Sequence, residues 1–153
     1  MNKLKRIIQK FYLGGENMLN NFKIIHELLQ HQIVPFIVHA HQPRSGSLHY
    51  DLRFGNPRNS KELFSFAAPA NFLQTINNKT ILAKTKMHDS RWLDLRSYRL
   101  KEVDRGTVTI KIATSKYFEL EFHGKVLNDN FKLFRLSSTF RNDRWLLVKT
   151  QLH

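Results

Sequence analysis

Five side chains able to do chemistry fall within one short stretch: His39, His41, His49, Asp51 and Arg53. They sit in two alternating runs. In FIVHAH, residues 36–41, Ile37, His39 and His41 share one parity. In LHYDLRF, residues 48–54, His49, Asp51 and Arg53 share one parity, and Leu48, Tyr50, Leu52 and Phe54 share the other. Successive side chains of a β-strand point to opposite faces, so the second run has a wholly apolar face and a polar one. The connection between the runs contains Pro43 and Gly46 and has the composition of a hairpin loop. A hairpin that turns both polar faces to one side gathers three imidazoles, a carboxylate and a guanidinium in a small area.

Two imidazoles and a carboxylate make an N/O ligand set suited to Mn²⁺ or Zn²⁺, with positions left open for water or substrate. His49 and Asp51, two apart on one strand face, are spaced to share an ion with His41 across the hairpin. A further histidine could hydrogen-bond or protonate an oxyanion, and Arg53 could grip phosphate oxygens bidentately. Downstream, KTKMHDSRW supplies His88 in a basic neighbourhood. A metal, an arginine and a histidine are equipment for phosphoryl chemistry, where stabilising developing charge is most of the work. The same alternation also describes any half-buried strand with a solvated polar face, so spacing alone leaves a site and a surface both open. His26, His31 and His153 have no such company and read as surface residues.

The elements that must hold these residues are mostly strands. After the Gly14-Gly15 break, NNFKIIHELLQH places Phe22, Ile25, Leu28 and Leu29 at helical spacing, with Asn20 or Asn21 as N-cap and Pro35 as terminator. Short alternating or apolar runs follow at 36–41, 48–54, 63–68, 80–86, 107–113, 117–123, 131–136 and 145–150, with turn-forming stretches such as PRSGS, HGK and LNDN between several of them. This predicts a mostly β fold, a small antiparallel β-barrel preceded by an N-terminal helix. The organisation expected is a basic arm over 1–17, a helix packing on the barrel over 18–34, and the barrel domain over 35–153. Phe64 with Phe66, and Phe118 with Leu120 and Phe122, read as core stripes, although aromatics between basic residues would also suit base stacking.

Charge narrows the partner. The 153 residues carry 25 Lys and Arg against 12 Asp and Glu, a net +13 that attracts polyanions and makes nucleic acid the leading partner class. Cysteine is absent, which excludes disulfides, thiolate metal sites and Cys nucleophiles. No apolar run approaches transmembrane length, so no membrane partner is expected. The first residues, MNKLKRIIQKFYLGG, contain no acid; a targeting peptide or an arm on nucleic acid would both fit.

The ordered landmarks resemble a known family. FIVHAHQPRSGSLHYDLRF is similar to the opening motif of the 3′-phosphoesterase domain of bacterial DNA ligase D. Ser65-Phe66-Ala67-Ala68-Pro69, Met87-His88-Asp89, Gly106-Thr107-Val108, LEFHGKVLNDNFKLFRL and RWLLVKT resemble its later segments in the same order, over about residues 36 to 150. The resemblance implies a small β-barrel that uses manganese, or another divalent metal, to trim 3′ ends of DNA or RNA in repair by removing a 3′-ribonucleoside or 3′-phosphate. It implies His41, His49 and Asp51 as metal ligands, and Arg53 and His88 as the residues at the scissile phosphate. On the substrate side the expectation falls on His39, Lys79, Lys84, Lys86 and Trp92. A monomer acting inside the cell beside separate ligase or polymerase proteins is the expected setting.

Departures from the family pattern lie around that core. The loop between His41 and His49 is two residues longer than in the pattern. Ala70 replaces a lysine, Thr80 an arginine, Lys86 an acid, His39 a glutamine and Trp92 a tyrosine, and RSYRLKEVDRG stands in place of an acidic Gly-containing segment. The alternative expectation is therefore a non-catalytic module that binds nucleic-acid ends or single strands. A basic component of a ribonucleoprotein assembly is a third reading, which accounts for the charge alone.

Overall fold

The computed structural model describes residues 29–55, 63–88, 90–139 and 142–150. Eight strands form a closed antiparallel barrel: β1 Ile33–His41, β2 His49–Phe54, β3 Leu63–Ala68, β4 Lys79–His88, β5 Leu100–Ala113, β6 Tyr117–His123, β7 Asn130–Thr139 and β8 Asn142–Lys149. The order around the wall is β1-β2-β3-β4-β8-β7-β6-β5, and β5 closes onto β1. A short helix, α1 Phe72–Thr75, links β3 to β4, and a 3₁₀ turn, Ser90–Leu93, links β4 to β5. The fold class is mostly β, as the alternating runs predict. Closure leaves no unpaired edge. Among the described residues no helix is long and apolar enough to cross a membrane.

The arm expected over 1–17 lies outside the described residues, as does most of the helix expected over 18–34. At its end that helix is corrected. Ile33 and Val34 already belong to β1, and Pro35 lies within the strand instead of terminating a helix. The proline is tolerated because its carbonyl, on the side facing β2, takes the N–H of Gly55 just beyond that strand's end. Its missing N–H falls on that same side, beyond the last β1–β2 pair, Phe36 with Phe54, so the proline forgoes only a terminal bond.

Interior packing follows the parity of the strands. Phe36, Val38, Leu52, Phe54, Phe64, Phe66, Leu82, Val108, Ile110, Phe118, Leu120, Phe122, Leu133 and Trp145 are essentially inaccessible. Their rings meet edge to face, with Phe54 and Phe118 centroids 5.5 Å apart at 90° and Phe66 and Trp145 5.6 Å apart at 74°. Such pairs add about 0.5–1.5 kcal/mol each beyond the burial of their area. The Phe64/Phe66 and Phe118/Leu120/Phe122 stripes are core, which leaves no face of them for a base.

One end of the barrel is closed by a turn over residues 124–127. The Asp104 carboxylate is buried and accepts backbone N–H groups from Lys125, Val126 and Leu127 at 2.9, 3.1 and 2.7 Å. A Cβ on Gly124 would lie 2.5 Å from both Asp104 Oδ2 and Phe36 Cζ, and one on Gly106 would lie 2.1 Å from the His123 carbonyl. Both glycines permit the close approach of chain segments there. The turn seats Leu127 in the core with no exposure.

β2 is buried on both faces, as are Phe36–His39 of β1 and Leu63–Phe66 of β3 beside it. Every residue from Tyr50 to Phe54 is buried, on the outer face as well as the inner. Something must cover the outside of the wall there. Trp92 and Leu93 of the 3₁₀ turn do so, packing with Ile37 and Leu63 into a small second apolar cluster.

Candidate metal centre

The hairpin of β1 and β2 pairs His41 with His49, His39 with Asp51 and Ile37 with Arg53. Directly paired residues project to the same face of a sheet, so the two polar rows of the sequence become one surface on the outside of the barrel. The inner parity is filled by aromatic core, and the outer parity is the only one free for chemistry.

At the end of this hairpin three side chains converge. His41 Nδ1 lies 3.2 Å from His49 Nε2 and 3.3 Å from Asp51 Oδ2, and His49 Nε2 lies 3.3 Å from Asp51 Oδ1. The two imidazoles meet edge to face, 4.7 Å between centroids. Ligand atoms that share one ion at about 2.1 Å are separated by about 3.0–3.4 Å. The donor set matches that spacing and its chemistry: two imidazole nitrogens and a carboxylate, all on a two-stranded element. His41 and His49 keep about 30% of their side-chain surface, whereas Asp51 keeps 9%. Asp51 Oδ2 is fully buried and has no hydrogen-bond partner. It lies 3.3 Å from an Arg53 nitrogen, but off the line of a hydrogen bond. That contact is an ion pair that leaves a lone pair unclaimed, and a buried orphan acceptor calls for a cation or a donor.

Beneath the triad lies a buried layer. Arg53 is 4% exposed. Its Nη2 faces Asp51, its Nη1 lies 3.3 Å from His39 Nδ1, and its guanidinium carbon sits 4.5 Å from the Trp92 ring centre. Burial, partly countered by Asp51, lowers the Arg53 pKa from its ordinary value, which leaves it cationic at neutral pH. His39 is 1% exposed, and burial followed by the neighbouring Arg53 charge pushes its pKa below the usual imidazole value. Arginine only donates, so His39 Nδ1 is the acceptor in that contact and the ring proton belongs on Nε2. His39 and Trp92, expected on the substrate side, are instead packed on Arg53.

The remaining predicted residues are spread along β4. Asp51 is in register with Ala67 of β3, and Ala67 with Ala83 of β4. His88 lies further along β4, opposite Leu63. At about 3.3 Å per residue and 4.8 Å per strand, its backbone is roughly 16–19 Å from that of Asp51. The structure therefore does not bring the His88 backbone to the triad. Lys79, at the start of β4, is exposed and shares the outer parity with Ile81, which is 52% exposed. Lys84 pairs with Phe66 and shares parity with Leu82, so it lies on the inner face, away from the triad. Burial lowers its pKa, with Asp143 opposing and Arg135 reinforcing the shift. Lys86 is exposed where the β3–β4 register shifts.

Two features had no prior expectation. Asp104 holds the turn over residues 124–127; an acid in a strand with a turn some twenty residues downstream gives no sequence signal for it. The second is the Ser97–Leu100 turn beside His41, where Leu100 pairs with His41 and Gln42 N–H donates to the Arg99 carbonyl at 3.0 Å. No family model matches this chain, and no curated protein matches it either.

Proposed function

We propose that the chain is a metal-dependent phosphoesterase acting at 3′ ends of nucleic acid, where it removes a 3′-phosphate or a 3′-ribonucleoside. The observation that carries this reading is the convergence of His41 Nδ1, His49 Nε2 and the buried Asp51 carboxylate at 3.2–3.3 Å, in a chain of net charge +13. His41, His49 and Asp51 would hold the ion. When bound, it supplies Lewis acidity to a phosphate oxygen; manganese is the metal the resemblance favours.

Residues of the chain carry the rest. Arg53 pairs with the Asp51 carboxylate at 3.3 Å and fixes its orientation, as partners behind a ligand do in metal sites. His39, neutral and with Nδ1 as acceptor, fixes Arg53 in turn. Trp92 excludes water from this pair. In this reading His88 stabilises or protonates the leaving group, a role that rests on the resemblance at Met87-His88-Asp89. Given the backbone separation, the substrate would have to extend from the triad across β3 to meet it.

The test is phosphate release from a 3′-phosphorylated primer with Mn²⁺ and other divalent metals. His41→Ala should lower release by more than about 100-fold, since loss of a ligand exceeds the 10–100-fold effect typical of outer partners. Calorimetric Mn²⁺ titration should show the same variant without its site. A wild-type protein inactive with every divalent metal ends the enzymatic reading. One observation then favours a module that binds ends without cutting: the Arg53 fork is occupied by Asp51 and His39. Binding by such a module would be salt-sensitive and would persist in His49→Ala.

A further inference from the structure

We propose that Tyr98 is a stacking platform for an unpaired base at the end of a nucleic-acid strand whose phosphate lies at the triad. This rests on the nucleic-acid reading above and adds to it the form of the terminus: a frayed or single-stranded end.

Tyr98 is 88% exposed and is the one aromatic side chain among the large exposed apolar residues described. Among the described residues, the phenylalanine stripes belong to the core and Trp92 packs on Arg53. An exposed tyrosine is ordinarily free to rotate, but this one is held. Arg99 Nε–H donates to its hydroxyl at 2.8 Å, and the Arg99 guanidinium carbon lies 4.8 Å from its ring centre. One face is thus backed by a cation and the other is open. Holding the ring in advance reduces the entropy lost when a base stacks on it.

Its place in the fold matters as much. Tyr98 and Arg99 form the tip of a tight turn closed by the Ser97–Leu100 bridge and by Leu100 N–H donating to the Ser97 carbonyl at 3.1 Å. Arg99 N–H also donates to Ser97 Oγ at 3.1 Å. The turn is anchored to the end of β1 through Gln42, and its last residue pairs with His41. Paired strand residues are about 5 Å apart and each residue adds about 3.3 Å, so the Tyr98 and His41 Cα atoms are within about 12 Å. That span suits a terminal nucleotide with its phosphate at one end and its base at the other.

Charge selects the occupant. Arg44, Arg96 and Lys101 are exposed around this turn, and no carboxylate among the described residues pairs with them. The nearby acids Asp94 and Glu102 both lie against Arg105, at 3.5 and 2.8 Å. A rim of cations beside an open π-face suits a polyanion that carries bases, since stacking is tolerant of sequence and backbone charge is met by Arg and Lys.

The test compares two labelled single-stranded DNA oligonucleotides with a 3′-phosphate, one with a normal terminal base and one abasic at that position. Fluorescence anisotropy is measured at fixed salt and saturating Mn²⁺, with a non-hydrolysable 3′-methylenephosphonate in place of the phosphate, so that the triad is loaded and cleavage does not intervene. Wild type should bind the base-bearing end about tenfold tighter. Tyr98→Ala should bind both ends equally, Tyr98→Phe should keep the preference, and both should retain the wild-type Mn²⁺ titration. No preference in wild type, or the full preference in Tyr98→Ala, overturns the platform while leaving the nucleic-acid reading in place. Failure of wild type to bind either oligonucleotide overturns both.

Discussion

Arg53 and Asp51 form the buried pair on which the candidate metal centre stands, and removing both partners should cost no more than removing one. Their closest approach is 3.3 Å, with 5% and 9% of their side-chain surfaces exposed. At an effective dielectric constant of about 20, two unit charges at that distance attract by about 5 kcal/mol. Removing one partner of such a pair leaves an uncompensated buried charge and costs about 3–5 kcal/mol. Arg53→Met keeps the aliphatic stem under Trp92, and Asp51→Asn keeps the shape of the carboxylate. Each single variant should therefore lose about 3–5 kcal/mol, and additivity would put the double variant at about 6–10 kcal/mol. With both charges gone, the double variant should lose only about 3–5 kcal/mol, a coupling of about 3 kcal/mol or more. Urea unfolding at constant slope reads these differences directly. A bound divalent ion provides a second readout, because it stabilises whatever folded form retains the ligands. Mn²⁺ should raise the unfolding midpoint of wild type and Arg53→Met, and leave Asp51→Asn where it is. Losses that add within about 0.5 kcal/mol would show that the two charges are balanced elsewhere, and the account of Arg53 as the counterion of Asp51 would be wrong.

Two further variants probe the frame around the site. Asp104→Ala removes the acceptor of the Lys125, Val126 and Leu127 N–H groups, and of Arg105 N–H at 2.9 Å. Hydrogen bonds to charged groups contribute about 1.5–3 kcal/mol each without adding fully, so a loss of about 3 kcal/mol or more is expected in urea unfolding; a loss below about 1 kcal/mol would mean the turn finds other partners. Lys84→Met should stabilise the protein at neutral pH, because burial depresses the Lys84 pKa while Asp143 already takes Arg135 and Trp145 at 2.9 Å each. With the folded pKa below the unfolded one, the folded state binds fewer protons between them, so wild-type stability rises with pH across that window. The advantage of Lys84→Met, read from thermal midpoints at pH 7 and above, should then shrink as pH rises toward 10.5; an advantage constant with pH would point to packing instead.

Strand positions were largely legible because alternation follows from burial on one side of a closed wall. The runs at 63–68 and 117–123 coincide with β3 and β6. The triad was legible for the same reason: two alternating runs joined by a short loop can pair in few registers. What alternation did not reveal is depth. It treats His39, Asp51 and Arg53 as one polar face, whereas Trp92 and Leu93 bury its inner part and leave only the His41 and His49 end in contact with solvent. That cover comes from residues some forty positions downstream in β2's sequence frame, on a segment with no periodicity to announce it. The start of β1 failed differently. Pro35 reads as a terminator when counted as a missing donor, but beyond the last β1–β2 pair it forgoes only a terminal bond and leaves the ladder intact.

Depth also decides what Arg53 can do to a ligand. To grip a phosphate, its guanidinium would have to leave Asp51 and His39 and emerge from under Trp92. Moving Trp92 would open the cluster with Ile37, Leu63 and Leu93, of which the first two are wholly inaccessible. Exposing one such side chain costs about 1.5–3 kcal/mol, added to separation of the ion pair. The arrangement is therefore better suited to an arginine that acts through Asp51 than to one that binds substrate. Phosphate charge would then be met by the ion and by the surface rim of Arg44, Arg96 and Lys101. The two contributions separate physically, because salt weakens contacts with exposed cations but screens a buried pair much less. Metal dependence and salt dependence of binding should accordingly belong to different residues: the first to His41, His49 and Asp51, the second to the turn beside them.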